Sequence, residues 1–242
     1  MRAEQTDNGY SKQHSGKTIL LADDHRALRL LFSRKLGAAG HDVIQAATGD
    51  EALTLARSNA PDLVVLDVNM PKASGYDVCS AMRESAQFKD VPIILYSDDD
   101  TTDFVRRGRA AGADTCIRKT SKSAELLASI EELFSRRAER VHDAGELPSH
   151  GNGAGRNDPA TPTKPGFDVS VAIANADGDR QLLGELVAVT LEETPLLMEQ
   201  LALGVEQADH DSIRRAAHAL KSSLAIVGAT AATDTASALK SA

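Results

Sequence analysis

Asp62-Leu63-Val64-Val65-Leu66-Asp67-Val68-Asn69-Met70-Pro71 is a short apolar run, rich in β-branched residues, that stops abruptly at one carboxylate. A run of that length reads as a strand buried on both faces. In an open parallel α/β sheet the carboxyl ends of the strands border the ligand crevice. Asp67 is therefore expected at the lip of the sheet, held by a rigid element and open to water. A carboxylate there can serve as metal ligand, base or nucleophile.

Working outward, the chain alternates regularly on both sides of this run. Residues 18–22 read as a strand that stops at Asp23-Asp24, 43–46 as a second, 91–96 as one that ends at Ser97, and 115–118 as a short one ending at Lys119. Between them, apolar residues recur at helical spacing: Leu28, Leu31, Phe32 and Leu36 over 25–39, closed by Gly40, and Ala52, Leu55 and Ala56 over 49–58, with Thr48 as cap. Further helices are expected over 74–85, 100–111 and 121–140. Five strands alternating with five helices imply a doubly wound, five-stranded parallel sheet.

The pattern breaks elsewhere. Residues 1–16 are polar and read as a disordered lead-in. Residues 141–166, crowded with Gly, Pro, Asn, Ser and Thr, read as a flexible linker. From 167 to 242 only helix formers remain: a short helix at 168–173, a long one over 180–204 that Pro195 is expected to kink or break, and others over 211–227 and 231–242. This second domain reads as all-α, a partial four-helix bundle.

Composition narrows the function. The chain has 242 residues, 42% of them hydrophobic, and a formal net charge of −8, so it has no overall electrostatic pull toward nucleic acid. No apolar run approaches the roughly 18 residues of a membrane span, and the expectation is a soluble, cytoplasmic protein with no membrane partner. Cys79 and Cys116 fit no metal-ligand spacing and read as buried, reduced thiols. Arg106-Arg107 and Arg136-Arg137 read as solvated helix faces.

The chemistry gathers at strand ends. Asp23 and Asp24, Asp67, Ser97 and Lys119 close four strands of one sheet and are expected at one edge. Three carboxylates together repel one another, and a hard cation with oxygen ligands, Mg²⁺, relieves that repulsion. A cation, a nucleophilic Asp, a hydroxyl and an ammonium together suit phosphoryl transfer.

Over residues 17–140 this constellation resembles the receiver domain of two-component response regulators. The resemblance rests on Asp23-Asp24, Leu66-Asp67-Val68-Asn69-Met70-Pro71, Gly75, Ser97, and Lys119 after Gly112-Ala113-Asp114. It implies a flavodoxin-like fold and a phosphoacceptor Asp67 supplied by a histidine kinase. It further implies Mg²⁺ held by Asp23, Asp24, Asp67 and the backbone carbonyl of Asn69, with Ser97 and Lys119 on the phosphoryl group. Three positions depart from the family pattern. Thr120 stands where Pro is usual, with a trans peptide expected. Cys116 replaces a frequent aromatic, which removes or alters a rotamer switch. Asp98, opening Asp98-Asp99-Asp100, replaces a small residue and is expected to oppose phosphorylation unless its side chain turns to water.

In the second domain, Ile213, Ala216, Leu220, Leu224 and Val227 form one helical stripe, and His218 falls well away from it beside Arg214, Lys221 and Ser222. His218 is thus expected to be exposed. His218-Ala219-Leu220-Lys221-Ser222-Ser223, followed by Gly228-Ala229, resembles the histidine phosphotransfer (HPt) motif, with Ser222 in place of Gly. The resemblance implies that His218 carries a phosphoryl group to or from a receiver. The family's bundle has a helix more than residues 167–242 provide, so an exposed apolar seam is expected. The other histidines, among them His25, read as surface.

The expected function is a phosphorelay signalling protein, not an enzyme with a kinase ATP site, whose partners are a histidine kinase and other receiver or HPt domains. Two rivals are a Mg²⁺-dependent phosphohydrolase of the haloacid dehalogenase type, which wants a second acid where Asn69 stands, and a non-phosphorylated receiver-like adaptor.

Overall fold

The computed structural model describes residues 16–98, 102–119, 123–142 and 167–241. The expected lead-in and linker fall almost wholly outside them, as does Thr120.

The first half alternates as its apolar pattern predicts: β1 (Thr18–Ala22), α1 (Arg26–Ala38), β2 (Asp42–Ala46), α2 (Gly49–Asn59), β3 (Leu63–Asp67), α3 (Gly75–Glu84), β4 (Ile93–Ser97), α4 (Thr102–Ala110), β5 (Thr115–Arg118) and α5 (Ser123–His142). The strands pair in parallel in the order β2-β1-β3-β4-β5. The central β3 is buried at every residue, which is why its sequence does not alternate. Successive side chains still go to opposite faces. Ile19, Leu21, Leu63, Val65 and Ile94 meet Phe32 and Leu36 of α1 and Leu126 and Ile130 of α5. Leu20, Val64, Leu66, Ile93 and Leu95 meet Val78 and Met82 of α3 and Phe104 of α4.

Local chemistry sets the helix starts. The Thr48 side chain accepts from the Glu51 amide, and Ser74 and Asp77 form a reciprocal capping box at α3. Gly75 follows at once. A Cβ there would lie 2.3 Å from the Asp67 carbonyl oxygen, so only glycine lets α3 begin against the loop that follows β3. Cys79 is buried as expected, whereas Cys116 is half-buried, and both are free.

Apart from one isolated antiparallel bridge between Phe167 and Ala229, the regular elements described in the second half are helices: α6 (Val169–Asn175), α7 (Arg180–Glu206), α8 (His210–Ile226) and α9 (Thr230–Ser241). α8 packs between α7 and α9 and buries Ala216 and Leu220 of the expected stripe, with Val227 buried as its C-cap. Pro195 does not interrupt α7. The carbonyl it deprives of a partner is that of Leu191, whose side chain is well exposed, so water can satisfy it, while the helix is anchored on either side by the buried Thr190 and Leu201. Gly228 has φ +76°, and a Cβ on it would meet the Asp168 carbonyl at 2.2 Å. Glycine there allows the Asp168 amide to donate to the Gly228 carbonyl at 2.7 Å, which ties the start of the domain to the end of α8. Leu191, Leu196, Met198, Leu203 and Val205 of α7 remain exposed.

The two halves are not simply tethered. α1 packs against both α7 and α8, and Leu28, Leu31 and Leu36 share one apolar cluster with Leu182, Leu186 and Val189 of α7. Ion pairs frame the contact. Arg34 Nη2 lies 2.8 and 2.9 Å from the two Glu185 carboxylate oxygens, Arg26 lies 2.8 Å from Glu192, and Lys35 pairs with Asp177. Among the described residues, no helix is long and apolar enough to cross a membrane.

Candidate functional site

The strand order puts a topological switch between β1 and β3, the place where such sheets open a crevice. Asp23 and Asp24 follow β1, Asp67 ends β3, Ser97 ends β4 and Lys119 follows β5. The fold brings all five to this edge. One carboxylate oxygen from each of Asp23, Asp24 and Asp67 lies within 4.8 Å of the others. Lys119 Nζ stands 2.9 Å from Asp23 Oδ2 and 2.8 Å from Asp67 Oδ2. The Lys119 amide donates to the Ser97 carbonyl at 2.7 Å, so β4 continues to guide the chain past the end of β5. The Asn69 amide donates to Asp67 Oδ1 at 3.2 Å, and the Asn69 side chain is exposed.

Asp67 was expected to be open to water, yet it is 1% exposed. A strand end is open only when nothing lies over it, and here Lys119 does. Burial raises the Asp67 carboxyl above its ordinary range; Lys119 pulls it down, Asp23 adds to the rise, and His218 opposes it. Asp24 is pushed up to about 7 by burial and then by the charges of Asp23 and Asp67. Burial works to lower the Lys119 ammonium, but Asp23 and Asp67 outweigh it and hold it well above the usual lysine range. Three carboxylates against one ammonium leave the pocket short of positive charge.

His218 does not lie on the surface. It is 4% exposed, because the receptive side of α8 is covered by the first half, which a wheel drawn for α8 alone does not contain. Its Nδ1 is 3.4 Å from Asp98 Oδ2, and Lys221 Nζ is 3.2 Å from the same oxygen. Asp98 therefore neither turns to water nor stands over the pocket as an uncompensated charge. Its side chain is 6% exposed and meets an imidazole and an ammonium from the other half. Ser222 is buried, and Arg214, on the solvent side, pairs loosely with Asp211 at 3.9 Å.

His25, read as surface, is 3% exposed. Its amide donates to Asp23 Oδ1 at 2.8 Å, its Nδ1 accepts from the Leu28 amide as the cap of α1, and its Nε2 lies 2.6 Å from Ser223 Oγ. An imidazole that accepts at Nδ1 and meets a hydroxyl at Nε2 is neutral, and burial followed by Lys119 pushes His25 down to about 3. The position directly after the acidic pair was the available signal, since that residue must sit at the crevice. Its partner, Ser223, is 198 positions away in the chain, beyond the reach of any local pattern.

Residues 19–131 match the family model for the response regulator receiver domain, and residues 185–242 match that for the Hpt domain. The response regulator MprA of a Mycobacterium species is 40% identical over 118 residues, 49% of this chain and 50% of that protein. The virulence sensor protein BvgS of Bordetella pertussis is 31% identical over 235 residues, 95% of this chain but 18% of that protein. The chemotaxis protein CheY4 of Vibrio cholerae matches in structure with 30% identity and a TM-score of 0.47, covering 49% of this chain and 99% of that one. The chain spans about half the length of most of the curated relatives it matches.

Proposed function

We propose, for a chain that belongs to the two-component signalling proteins and joins a receiver domain to an Hpt domain, that Asp67 accepts a phosphoryl group and His218 exchanges it with a receiver. The units are taken as 17–140 and 167–242, joined through 141–166. The observation that carries the reading is the convergence of Asp23, Asp24, Asp67, Ser97 and Lys119 on one sheet edge. The match to the sensor protein supports joining the two roles, because it runs across both halves.

The pocket's charge deficit fits a divalent cation. Its donors are hard carboxylate oxygens, and Asp24, pushed up to about 7, is the group a cation would return to its charged form. Asp23, Asp24 and Asp67, with the Asn69 carbonyl, would hold Mg²⁺, which when bound neutralises charge on phosphoryl oxygens. Lys119 already lies against Asp67 and would exchange part of that pairing for a phosphoryl oxygen, while Ser97 offers a hydroxyl at the end of the neighbouring strand. The donor of the phosphoryl group would be a histidine kinase, and the further partners other receiver or HPt domains. A phosphohydrolase reading is disfavoured by Asn69, which supplies no acid two residues beyond Asp67.

Labelling the full chain with radioactive acetyl phosphate and Mg²⁺ tests this reading. The expected result is an acyl phosphate lost in Asp67→Ala and an acid-labile, base-stable phosphohistidine lost in His218→Gln. Label that survives both changes would sink the assignment.

A further inference from the structure

Asp98 is the residue at which the receiver departs most in charge from its family, and it is the one that touches His218. It follows Ser97 directly, so the rigid end of β4 carries it. It is nearly fully buried, and its Oδ2 faces two groups of α8, Nδ1 of His218 at 3.4 Å and Nζ of Lys221 at 3.2 Å. α8 meets the edge of the pocket directly, with Ser223 Oγ 2.6 Å from Nε2 of His25, the residue that follows Asp23-Asp24. Contact between α1 and the helical half, through the shared apolar cluster and the Arg34–Glu185 and Arg26–Glu192 pairs, keeps α8 over this edge of the sheet.

We propose that Asp98 is a positioning residue for phosphoryl transfer within one chain: its carboxylate holds the proton of His218 on Nδ1, fixes the ring over the receiver pocket and leaves the Nε2 lone pair to react. The idea rests on the reading of Asp67 and His218 given above. The step balances. Neutral His218, protonated on Nδ1, attacks phosphorus through Nε2. The bond between phosphorus and the Asp67 oxygen breaks, and its electron pair leaves with Asp67 as a carboxylate. The new phosphoimidazole keeps its Nδ1 proton and carries a positive ring, which the Asp98 carboxylate pairs. No proton is lost and no co-reactant is needed. In reverse, the same paired proton keeps the ring a good leaving group. A carboxylate behind an imidazole sets tautomer and orientation wherever histidine reacts through its other nitrogen, and here the carboxylate and the histidine come from different domains. Lys221 Nζ lies 3.2 Å from the same oxygen and gives the carboxylate a second cationic neighbour.

The test uses the full chain labelled beforehand at Asp67, with the single-turnover appearance of phosphohistidine as the rate. Asp98→Ala is expected to slow it roughly 10- to 100-fold, with Asp98→Glu recovering part of the loss and Asp98→Asn little of it. Imidazole ¹⁵N shifts of His218 in the unlabelled chain supply a readout independent of turnover. The Nδ1–H form should dominate in the unaltered protein and give way to the Nε2–H form in Asp98→Ala. A labelled His218 whose rate and tautomer both ignore Asp98 overturns the proposal alone. A His218 that never takes label from Asp67 in the unaltered chain overturns the relay reading and this proposal with it.

Discussion

Asp67 and His218 are both buried ionisable groups, but burial reaches them by different routes. Asp67 takes a cover from its own sheet: its strand is covered on both faces, and Lys119 from the next strand but one closes over it. His218 belongs to a helix whose local pattern points it outward, and it is enclosed only because a second domain lies against it. The first pairing, Lys119 on Asp67, is made between elements of one sheet. The second exists only while α7 and α8 stay on α1.

The largest effect is expected at Lys119. Removing the ammonium in Lys119→Met leaves Asp23 and Asp67 buried without their cation, and loss of one partner of a buried pair costs about 3–5 kcal/mol. Urea unfolding without divalent cation should show that loss, and Mg²⁺ should recover part of it. A change below about 1 kcal/mol would mean that water reaches the pocket in solution.

Asp24 gives an effect of intermediate size and a definite sign. Its folded value, about 7, lies above the ordinary 3.8. The folded chain therefore holds a proton that the unfolded chain releases, and stability falls as pH rises. The contribution is fully present below 3.8 and is lost as pH passes through about 7. Asp24→Asn should match the unaltered protein near pH 4 and exceed it by up to a few kcal/mol, roughly, at pH 8 without Mg²⁺. It should also weaken the response of the melting temperature to Mg²⁺. Parallel stability–pH curves for the two proteins would remove the repulsion argument.

The smallest effect tests the interdomain route. Arg34→Glu turns an exposed ion pair into a repulsion, and such pairs are worth about 0.2–1 kcal/mol. Small-angle scattering of the full chain should report a modest shift toward separated halves, and Glu185→Arg in the same chain should reverse it. A fully separated profile in the unaltered protein would show that His218 is exposed after all.

How much of this was legible beforehand follows the same division. The order of strands and helices, the caps at Thr48 and Ser74, and the gathering of Asp23, Asp24, Asp67, Ser97 and Lys119 could be read because period and strand ends are local, and parallel topology carries strand ends to one edge. Of the kink or break expected at Pro195, the break does not occur: α7 runs on through a stretch of exposed residues between the buried Thr190 and Leu201, where a lost hydrogen bond is open to water. His25 misled because nothing near it in the chain names Ser223. Asp98 reads locally as an extra charge, but its sign of effect depends on what faces it, and that is His218 and Lys221 from more than a hundred positions away.

The amino-acid order by itself determined a doubly wound sheet, a helical second half and a carboxylate-rich crevice with one lysine, since each follows from periodicity within a segment and the handedness of parallel crossovers. Only the tertiary structure decided that α1 buries an apolar face against α7, that Lys119 roofs Asp67, and that Asp98 receives His218. Those contacts join surfaces that are each complete on their own element, so no periodicity records which of them will meet.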